Sequence, residues 1–293
     1  MTDTVLVYDC FSGLSGDMHI GAMLDLGVSE AHLREQLSRL PMAEEFELQV
    51  TPGEKHGITG LKATIVLKET PHHHRHLSDI TAIIEQAGLN PTTAQRALAI
   101  FRHIAVAEAH VHGISIDEVH FHEVGATDSI ADIVAAAVCL DYLDVDQAYC
   151  RRLEMGGGMV RCAHGMMPVP APATAEILKG IPCQYDGINQ EATTPTGAAI
   201  LKEVVTSFSP PENFHASRIG YGLGQKDFDI PNVARVMLGS IDADASSLHQ
   251  NHYLREQHLQ IECNIDDMPA EAFAPLLESL LEQGAKDAFL TPI

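Results

Sequence analysis

Histidine is the residue in this sequence whose number and spacing most clearly indicate chemistry. The chain has 17 histidines, and many of them fall in short clusters. The clusters, with the acidic residues beside them, are His72, His73, His74, His76, His110, His112, His120, His122, Glu123, Asp128 and Asp132. Neutral imidazole binds Zn, Cu, Fe and Ni, and carboxylates commonly share such sites. The pattern predicts a transition-metal site, and a solvated loop over residues 72–76 is the alternative interpretation.

A loop rich in glycine and serine follows the first predicted strand. Its polar and small residues are Asp9, Ser12, Gly13, Ser15, Gly16 and Asp17. Free backbone amides in such a loop, and at the start of the next helix, favour a bound phosphate. The flanking carboxylates would suit a divalent ion beside that phosphate. The loop matches neither the Walker A nor the dinucleotide-binding pattern, so a tight turn before a helix is the equal alternative.

A third polar segment runs from Thr194 through Pro195 and Thr196 to Gly197. It presents hydroxyls and free amides at a predicted helix start, with Thr194 as N-cap and Pro195 in the first turn. Capping alone explains this arrangement unless a ligand lies nearby.

The charge balance excludes several classes of partner. Forty acidic residues against 18 basic ones give a formal charge of −22. Such a chain repels nucleic acid and anionic membranes and concentrates cations, so we expect no partner of either kind. The sequence has no membrane-spanning apolar run, and its first residues do not resemble a signal peptide, which predicts a cytoplasmic protein. Its six cysteines form no C-x-x-C pair and are expected to be separate thiols.

The periodicity of apolar residues predicts a mixed sheet with flanking helices, of the α/β or α+β class. The predicted strands are Val5–Asp9, Phe46–Thr51, Lys62–Lys68 and Asn232–Leu238, with an extended segment Glu118–Glu123 that puts His120 and His122 on one side. The predicted helices are Met18–Leu26, Glu30–Leu40, Leu77–Gln86, Thr92–Ala109 and Ser129–Leu143, and Gly27 is expected to cap the first. His103 and His110 should share a helix face.

The C-terminal part is predicted to be a separate unit. Residues 242–257 are polar and aperiodic, as in a linker between a domain at 1–241 and a fragment at 258–293. That fragment reads as strand Leu259–Ile265, helix Ala270–Gln283 and strand Ala288–Ile293, a truncated βαβ-type piece. Two strands and one helix bury little, so we expect a missing C-terminal half or a full-length form as its partner.

Several motifs together resemble those of the LarC-type nickel-insertion proteins. They are Asp9–Met18, Val119–Ala126 with Asp128–Ile130, Pro168–Pro172, Thr194–Ala199 and Asn264–Met268. The resemblance extends from about residue 5 to the last residue, and the stretch His120–Ala126 is its most specific part. The family continues beyond the position of Ile293 into a domain that binds CTP.

The resemblance implies an activity. Proteins of this family insert Ni(II) into pyridinium-3,5-bisthiocarboxylic acid mononucleotide, forming one carbon–nickel and two sulfur–nickel bonds. They consume CTP with a divalent ion, Mg²⁺ or Mn²⁺. The product is the nickel-pincer cofactor of lactate racemase, so the expected partners are nickel, the mononucleotide and a lactate racemase-type apoenzyme. A homo-oligomer is also expected.

Site residues follow from combining this activity with the clusters. The nickel ligands are expected among His72, His73, His74, His76, His110, His112, His120, His122, Glu123 and Asp128. The substrate and its phosphate are expected at Ser12, Gly13, Ser15, Gly16, Thr194 and Thr196, with Asp9 or Asp17 as base or supporting carboxylate. Two other functions remain open: a nickel reservoir or metallochaperone without turnover, and a metal-dependent phosphohydrolase using Asp9 and Asp17.

Overall fold

The structure is a computed structural model that describes residues 4–68, 75–121, 126–162, 165–185, 187–241 and 259–291. The chain forms two compact units, Met1–Leu248 and His249–Ile293. Within the described residues, none of the helices is long and apolar enough to cross a membrane.

The first unit alternates strands and helices. Its strands are β1 Val5–Cys10, β2 Phe46–Lys55, β3 Ile58–Leu67, β4 Arg75–His76, β5 His120–Phe121, β6 Gln147–Leu153, β7 Met159–Cys162, β8 Gly165–Pro168, β9 Phe214–Leu223 and β10 Val233–Ile241. Its helices are α1 Gly16–Leu26, α2 Glu30–Leu37, α3 Leu77–Gln86, α4 Pro91–His112, α5 Thr127–Tyr142, α6 Pro172–Ile177 and α7 Pro195–Val204, with 3₁₀ turns at Ala43–Glu45 and Ile116–Glu118.

Six strands form one mixed sheet in the order β2-β3-β9-β10-β1-β6. β1 pairs parallel with β6 and antiparallel with β10, while β9 pairs antiparallel with β10 and parallel with β3. Helices α1 and α5 pack on one another, and α1 contacts β3, β9 and β10. The predicted mixed sheet with flanking helices is confirmed.

Helix α1 lies unusually close to the sheet because glycines remove the side chains between them. A Cβ added to Gly222 would lie 1.7 Å from the carbonyl oxygen of Met18, and one added to Gly220 would lie 2.2 Å from that of Ala22. On the helix side, a Cβ on Gly21 would lie 2.4 Å from the carbonyl oxygen of Leu61. This close contact fixes where the N-terminus of α1 sits relative to the sheet.

The loop before α1 is fixed by a serine. The Ser12 hydroxyl donates to the Val233 carbonyl oxygen at 2.9 Å and accepts from the Val233 amide at 3.0 Å, and the residue is fully buried. It therefore continues the pairing of β1 and β10 beyond the end of β1. The next residue, Gly13, has φ +88°, and its Cβ would lie 2.1 Å from the Ala192 carbonyl oxygen.

Most of the predicted helices and strands are present, but they begin or end at residues other than those predicted. Helix α3 has the predicted bounds, Gly27 caps α1 in the left-handed conformation, and Thr194 caps α7. Strand β9 was missed because Gly220 and Gly222 interrupt its apolar pattern, and β6 and the β7–β8 hairpin were missed in the same irregular half. A strand formed by long-range pairing need not show a local period.

The second unit is described over residues 259–291. Helix α8, Ala270–Glu282, forms as predicted. In these residues the predicted strand Leu259–Ile265 does not form, and neither does the described part of the strand predicted at residues 288–293. Leu259 and Ile261 are 86% and 82% exposed, and an extended segment without a hydrogen-bonding neighbour is not a strand. The linker predicted at residues 242–257 lies outside the described residues.

The close contact between α1 and β9 predicts a strong effect of a small substitution. Gly222→Ala should lower the free energy of unfolding by about 1–3 kcal/mol or more, because neither backbone can move away without disturbing the sheet. Urea unfolding measures this loss. Gly157→Ala is the matched control, since its Cβ would make an ordinary 3.4 Å contact. Equal stability of the two variants would contradict the proposed packing constraint.

A second prediction concerns His19, which is fully buried in α1 and hydrogen-bonds to the Tyr8 hydroxyl at 3.0 Å through Nε2. Burial lowers the pKa of His19 to about 3, whereas in the unfolded chain imidazole titrates near its ordinary value of about 6.5. Acid therefore protonates the unfolded state first. The free energy of unfolding should be at its maximum above about pH 6.5. Below that pH it should fall by up to about 1.4 kcal/mol per pH unit.

Chemical denaturation at pH 7, 6, 5 and 4 tests this. The free energy of unfolding of His19→Gln should fall less steeply with decreasing pH than that of the wild type. His215→Gln, at an exposed position on β9, should show the same pH dependence as the wild type. An unchanged slope in the His19 variant would assign the acid loss to other groups.

Candidate functional site

Two histidines from distant parts of the sequence meet in a short β-ladder. Strands β4 and β5 pair antiparallel, with His76 opposite His120. Their ring centroids lie 3.9 Å apart, and His76 Nδ1 donates to the Val119 carbonyl oxygen at 3.2 Å. We call these two residues the histidine pair. Their side chains are partly and largely exposed, respectively, and so are accessible to an ion.

The segments adjoining the histidine pair carry most of the other predicted nickel ligands. Residues 69–74 directly precede β4, and residues 122–125 directly follow β5. His72, His73, His74, His122 and Glu123 therefore lie outside the described residues.

The histidine pair is tied to the start of α5 by a small polar network. Arg75, 9% exposed, donates to the Thr127 hydroxyl at 3.3 Å and lies 3.7 Å from the Glu45 carboxylate. Thr127 in turn donates to Glu45 at 2.7 Å. Because Thr127 opens α5 and precedes Asp128, the network joins the pair to that carboxylate.

The histidines of α4 have other partners. His110 lies 3.8 Å from Glu176 of α6, and His112 lies 3.3 Å from Glu108 one turn earlier. His103 contacts Glu203 of α7 at 2.9 Å. Across the described ranges, no three His, Cys, Asp or Glu side chains are arranged to hold a metal ion.

A cleft opens where the first turns of α1, α5 and α7 converge. It has two parts, of about 300 Å³ and about 260 Å³, and both are lined by Ser15, Asp17, Glu191, Thr194 and Gln225. The larger part, here the carboxylate compartment, is further lined by Gly16, Asp128, Ser129, Asp132 and Thr196. The smaller part, here the lysine compartment, is further lined by Met18, Lys226, Phe228 and Asn232.

Side chains at the three helix starts bond to nearby backbone amides, but only α7 has a side-chain N-cap among them. Asp17 accepts from the Met18 amide at 2.9 Å and from the Ser15 hydroxyl, and Asp128 accepts from the Ser129 amide at 2.8 Å. Thr194 accepts from the Gly197 amide at 3.2 Å. The Thr194 cap predicted from sequence is therefore present, and Ser15, Thr194 and Thr196 still line the cleft.

Asp132 is the most perturbed acid of the cleft. Burial, and then the charges of Asp17 and Asp128, raise the pKa of the Asp132 carboxyl well above its ordinary value. Its Oδ1 is buried and has no hydrogen-bond partner in the described part of the chain. A Cβ on Gly16 would lie 2.7 Å from Asp132 Oδ2, so the glycine makes room for the carboxyl. An acidic group held in this way is typical of functional sites.

Besides the histidines, three residues predicted to bind the substrate or to act in catalysis lie away from the cleft. Asp9 is 4% exposed and pairs with Arg235, whose guanidinium also lies 5.9 Å from the centre of the Phe11 ring. Ser12 and Gly13 are used in the packing contacts described above. Ser15, Gly16, Asp17, Asp128, Thr194 and Thr196 are the predicted residues that line the cleft.

The sequence pattern placed Asp132 only beside the histidine clusters, and it gave no role to Glu191, Lys226 or Asn232. For Asp132 a signal existed, because a spacing of four from Asp128 puts both carboxyls on one helix face. Lys226 and Asn232 come from the β9–β10 connection, which the sequence shows only as a glycine-rich stretch followed by polar residues.

Comparison with known proteins gives one consistent result. The family described as "Nickel insertion protein" matches residues 6–293. Pyridinium-3,5-bisthiocarboxylic acid mononucleotide nickel insertion proteins from Clostridium acetobutylicum, Clostridium kluyveri and Geobacillus kaustophilus are 43%, 45% and 44% identical to this chain over 99% of its length. The chain covers 74%, 73% and 73% of those proteins. No solved structure matches it.

The raised pKa of Asp132 predicts that this residue lowers stability. At neutral pH the folded state must either ionise a poorly solvated carboxyl or hold a proton that the unfolded chain would release. Asp132→Asn should therefore raise the free energy of unfolding at pH 7. The gain should shrink as pH falls towards the ordinary carboxyl pKa, because the unfolded carboxyl then becomes protonated too.

Urea unfolding at pH 7 and pH 4 measures this difference. Asp144→Asn is the control, at an exposed position after α5. A variant at 132 that is less stable than wild type at pH 7 would contradict the prediction.

Proposed function

The chain belongs to the nickel insertion protein family, and on this premise we propose that it inserts Ni(II) into pyridinium-3,5-bisthiocarboxylic acid mononucleotide. The observation that carries the proposal is the connection between the histidine pair and the cleft. Arg75, Thr127 and Glu45 join them through hydrogen bonds of 3.3 and 2.7 Å. The histidine pair, which we expect to bind nickel, is thereby attached to a cavity large enough for part of a nucleotide.

Nickel is expected to bind first at the histidines. His76 and His120 offer two imidazoles at neighbouring positions, and His72, His73, His74, His122 and Glu123 adjoin them in the sequence. Imidazole suits Ni(II), and the negative charge of the chain raises the local concentration of cations. His110 and His112 contribute less in this proposal, because carboxylates already pair with them.

The substrate is expected to bind in the cleft. Helix starts and the hydroxyls of Thr194 and Thr196 favour anionic groups, while Asp17, Asp128 and Asp132 disfavour them. The carboxylate compartment therefore suits a thiocarboxylate only when a cation accompanies it. This requirement couples substrate binding to nickel delivery, with Asp128 as the acid nearest the polar network.

The reaction needs a proton acceptor. As the carbon–nickel bond forms, the ring carbon loses its hydrogen as a proton, and the two thiocarboxylate sulfurs bind the same ion. We assign proton acceptance to Asp17 or Asp132, because both line the carboxylate compartment. Asp9 is omitted, because its carboxylate is paired with Arg235.

The remaining expectations rest on the resemblance of the motifs. We propose that the protein uses CTP with Mg²⁺ or Mn²⁺, acts as a homo-oligomer and supplies a lactate racemase-type apoenzyme. The described residues do not bring three metal-binding side chains together, so no nucleotide step is attributed to them. We likewise propose residues 1–241 as the metal-handling domain and 258–293 as the start of the nucleotide-binding one.

Separate variants should distinguish nickel uptake from insertion. His76→Ala with His120→Ala should lower the nickel bound per chain, measured by elemental analysis after gel filtration. Asp17→Asn and Asp132→Asn should retain nickel but slow product formation by about 10²–10⁴-fold, the usual contribution of a positioned base. Product is measured by mass spectrometry after incubation with Ni(II), the mononucleotide and CTP, and Asp144→Asn is the control.

The outcomes separate the candidate functions. Nickel binding by wild type without product would favour the reservoir. Release of phosphate from unrelated esters would favour a phosphohydrolase. Full activity in both aspartate variants would remove the cleft from the mechanism.

A further inference from the structure

The lysine compartment contains a cation whose hydrogen-bonding capacity is only partly used. Among the described residues that line the cleft, Lys226 is the one with a basic side chain. Its ammonium donates to the Glu191 carbonyl oxygen at 2.9 Å and to the Glu191 carboxylate at 3.2 Å. An ammonium has three N–H donors, so one remains for a ligand. The side chain is 41% exposed and can be reached from solvent.

The backbone that carries Lys226 is held from two directions. The Lys226 carbonyl oxygen accepts from Asn232 Nδ2 at 2.8 Å and from the Lys55 ammonium at 3.2 Å. Gln190 donates to the next carbonyl, that of Asp227, at 3.2 Å. These contacts hold the backbone of Lys226 beside the cleft. A ligand can therefore bind the ammonium without first having to order the loop that carries it.

Asn232 adds an acceptor to the same compartment. The residue is 4% exposed, and its Oδ1 has no hydrogen-bond partner in the described part of the chain. A buried amide oxygen without a donor is costly, and a hydroxyl or a water would satisfy it. Phe228 and Met18 supply apolar surface beside it. The compartment thus combines a cation, a free acceptor and apolar contacts, which are the groups that a ribose phosphate requires.

We propose that Lys226 binds the phosphate of the mononucleotide, so that the pyridinium ring enters the carboxylate compartment. This inference rests on the proposed function and adds the orientation of the substrate. Asp17 and Glu191 line both compartments, but a phosphate dianion in the carboxylate compartment would also face Asp128 and Asp132, with no basic side chain among the lining residues. The pyridinium ring carries a positive charge and receives the nickel ion, so the same carboxylates favour it. The orientation also brings the reacting ring to the compartment that the polar network joins to the histidine pair.

Calorimetric titration of the full chain tests the orientation with two probes. They are the mononucleotide bearing two plain carboxylates in place of the thiocarboxylates, and its nucleoside, which lacks only the phosphate. Lys226→Gln should weaken mononucleotide binding by about 10- to 100-fold, the effect of one charge-assisted hydrogen bond, and leave nucleoside binding unchanged. Lys226→Arg should bind the mononucleotide to within a few-fold of wild type.

Glu191→Gln separates recognition from a structural ion pair. It also breaks the Lys226–Glu191 pair but leaves the ammonium free, so mononucleotide affinity should stay equal or rise. Lys179→Gln, at an exposed position after α6, controls for net charge. Nickel bound per chain should be the same in all these variants.

Three results would overturn the orientation. Equal weakening of nucleoside and mononucleotide by Lys226→Gln would put the ring, not the phosphate, at the lysine. Equal loss of mononucleotide affinity in the Lys226→Gln and Glu191→Gln variants would mean that the Lys226–Glu191 ion pair has only a structural role. Unchanged affinity in Lys226→Gln would remove the lysine from binding. Failure of the proposed function is distinct, because wild type would then bind neither probe.

Discussion

The close contact between α1 and the sheet is the constraint on which the rest of the structure depends. Gly220 and Gly222 of β9 and Gly21 of α1 leave no room for a Cβ between the two backbones. The helix therefore has one position against β9, and its first turn is fixed beyond the end of β1. Ser15 and Asp17 enter the cleft as a consequence.

The same packing gathers three helix starts around one cavity, and this arrangement has a cost. Helix starts favour negative charge, which explains why Asp17 and Asp128 occupy them. Asp132 then lies among carboxylates and is poorly solvated, so its ionisation is disfavoured. The arrangement works against stability and in favour of binding a cationic group or ion. Under the proposed function, such a site would accept an anionic substrate only together with a metal ion.

Hydrogen bonds link the histidine pair to the helix start that borders the cleft. Arg75 follows the histidine cluster in sequence and is buried against Thr127 and Glu45, which connects the segment before α3 to the start of α5. His76 is held at the same point, because its amide donates to Asp79 at 2.8 Å in the capping box of α3.

The amino-acid sequence was enough to predict the local features. These are the bounds of α3, the Thr194 cap of α7, the Gly27 cap of α1, and motifs that indicate nickel and phosphate chemistry. Each depends on residues within a few positions of one another, where backbone preference and periodicity act. Other features depend on long-range packing: the ion pair of Asp9 with Arg235, the hydrogen bonds of Ser12 to Val233, and the position of Lys226 and Asp132 beside one cleft. Those partners come together through sheet order and helix packing, and contacts between segments so far apart in the sequence leave no local period to detect.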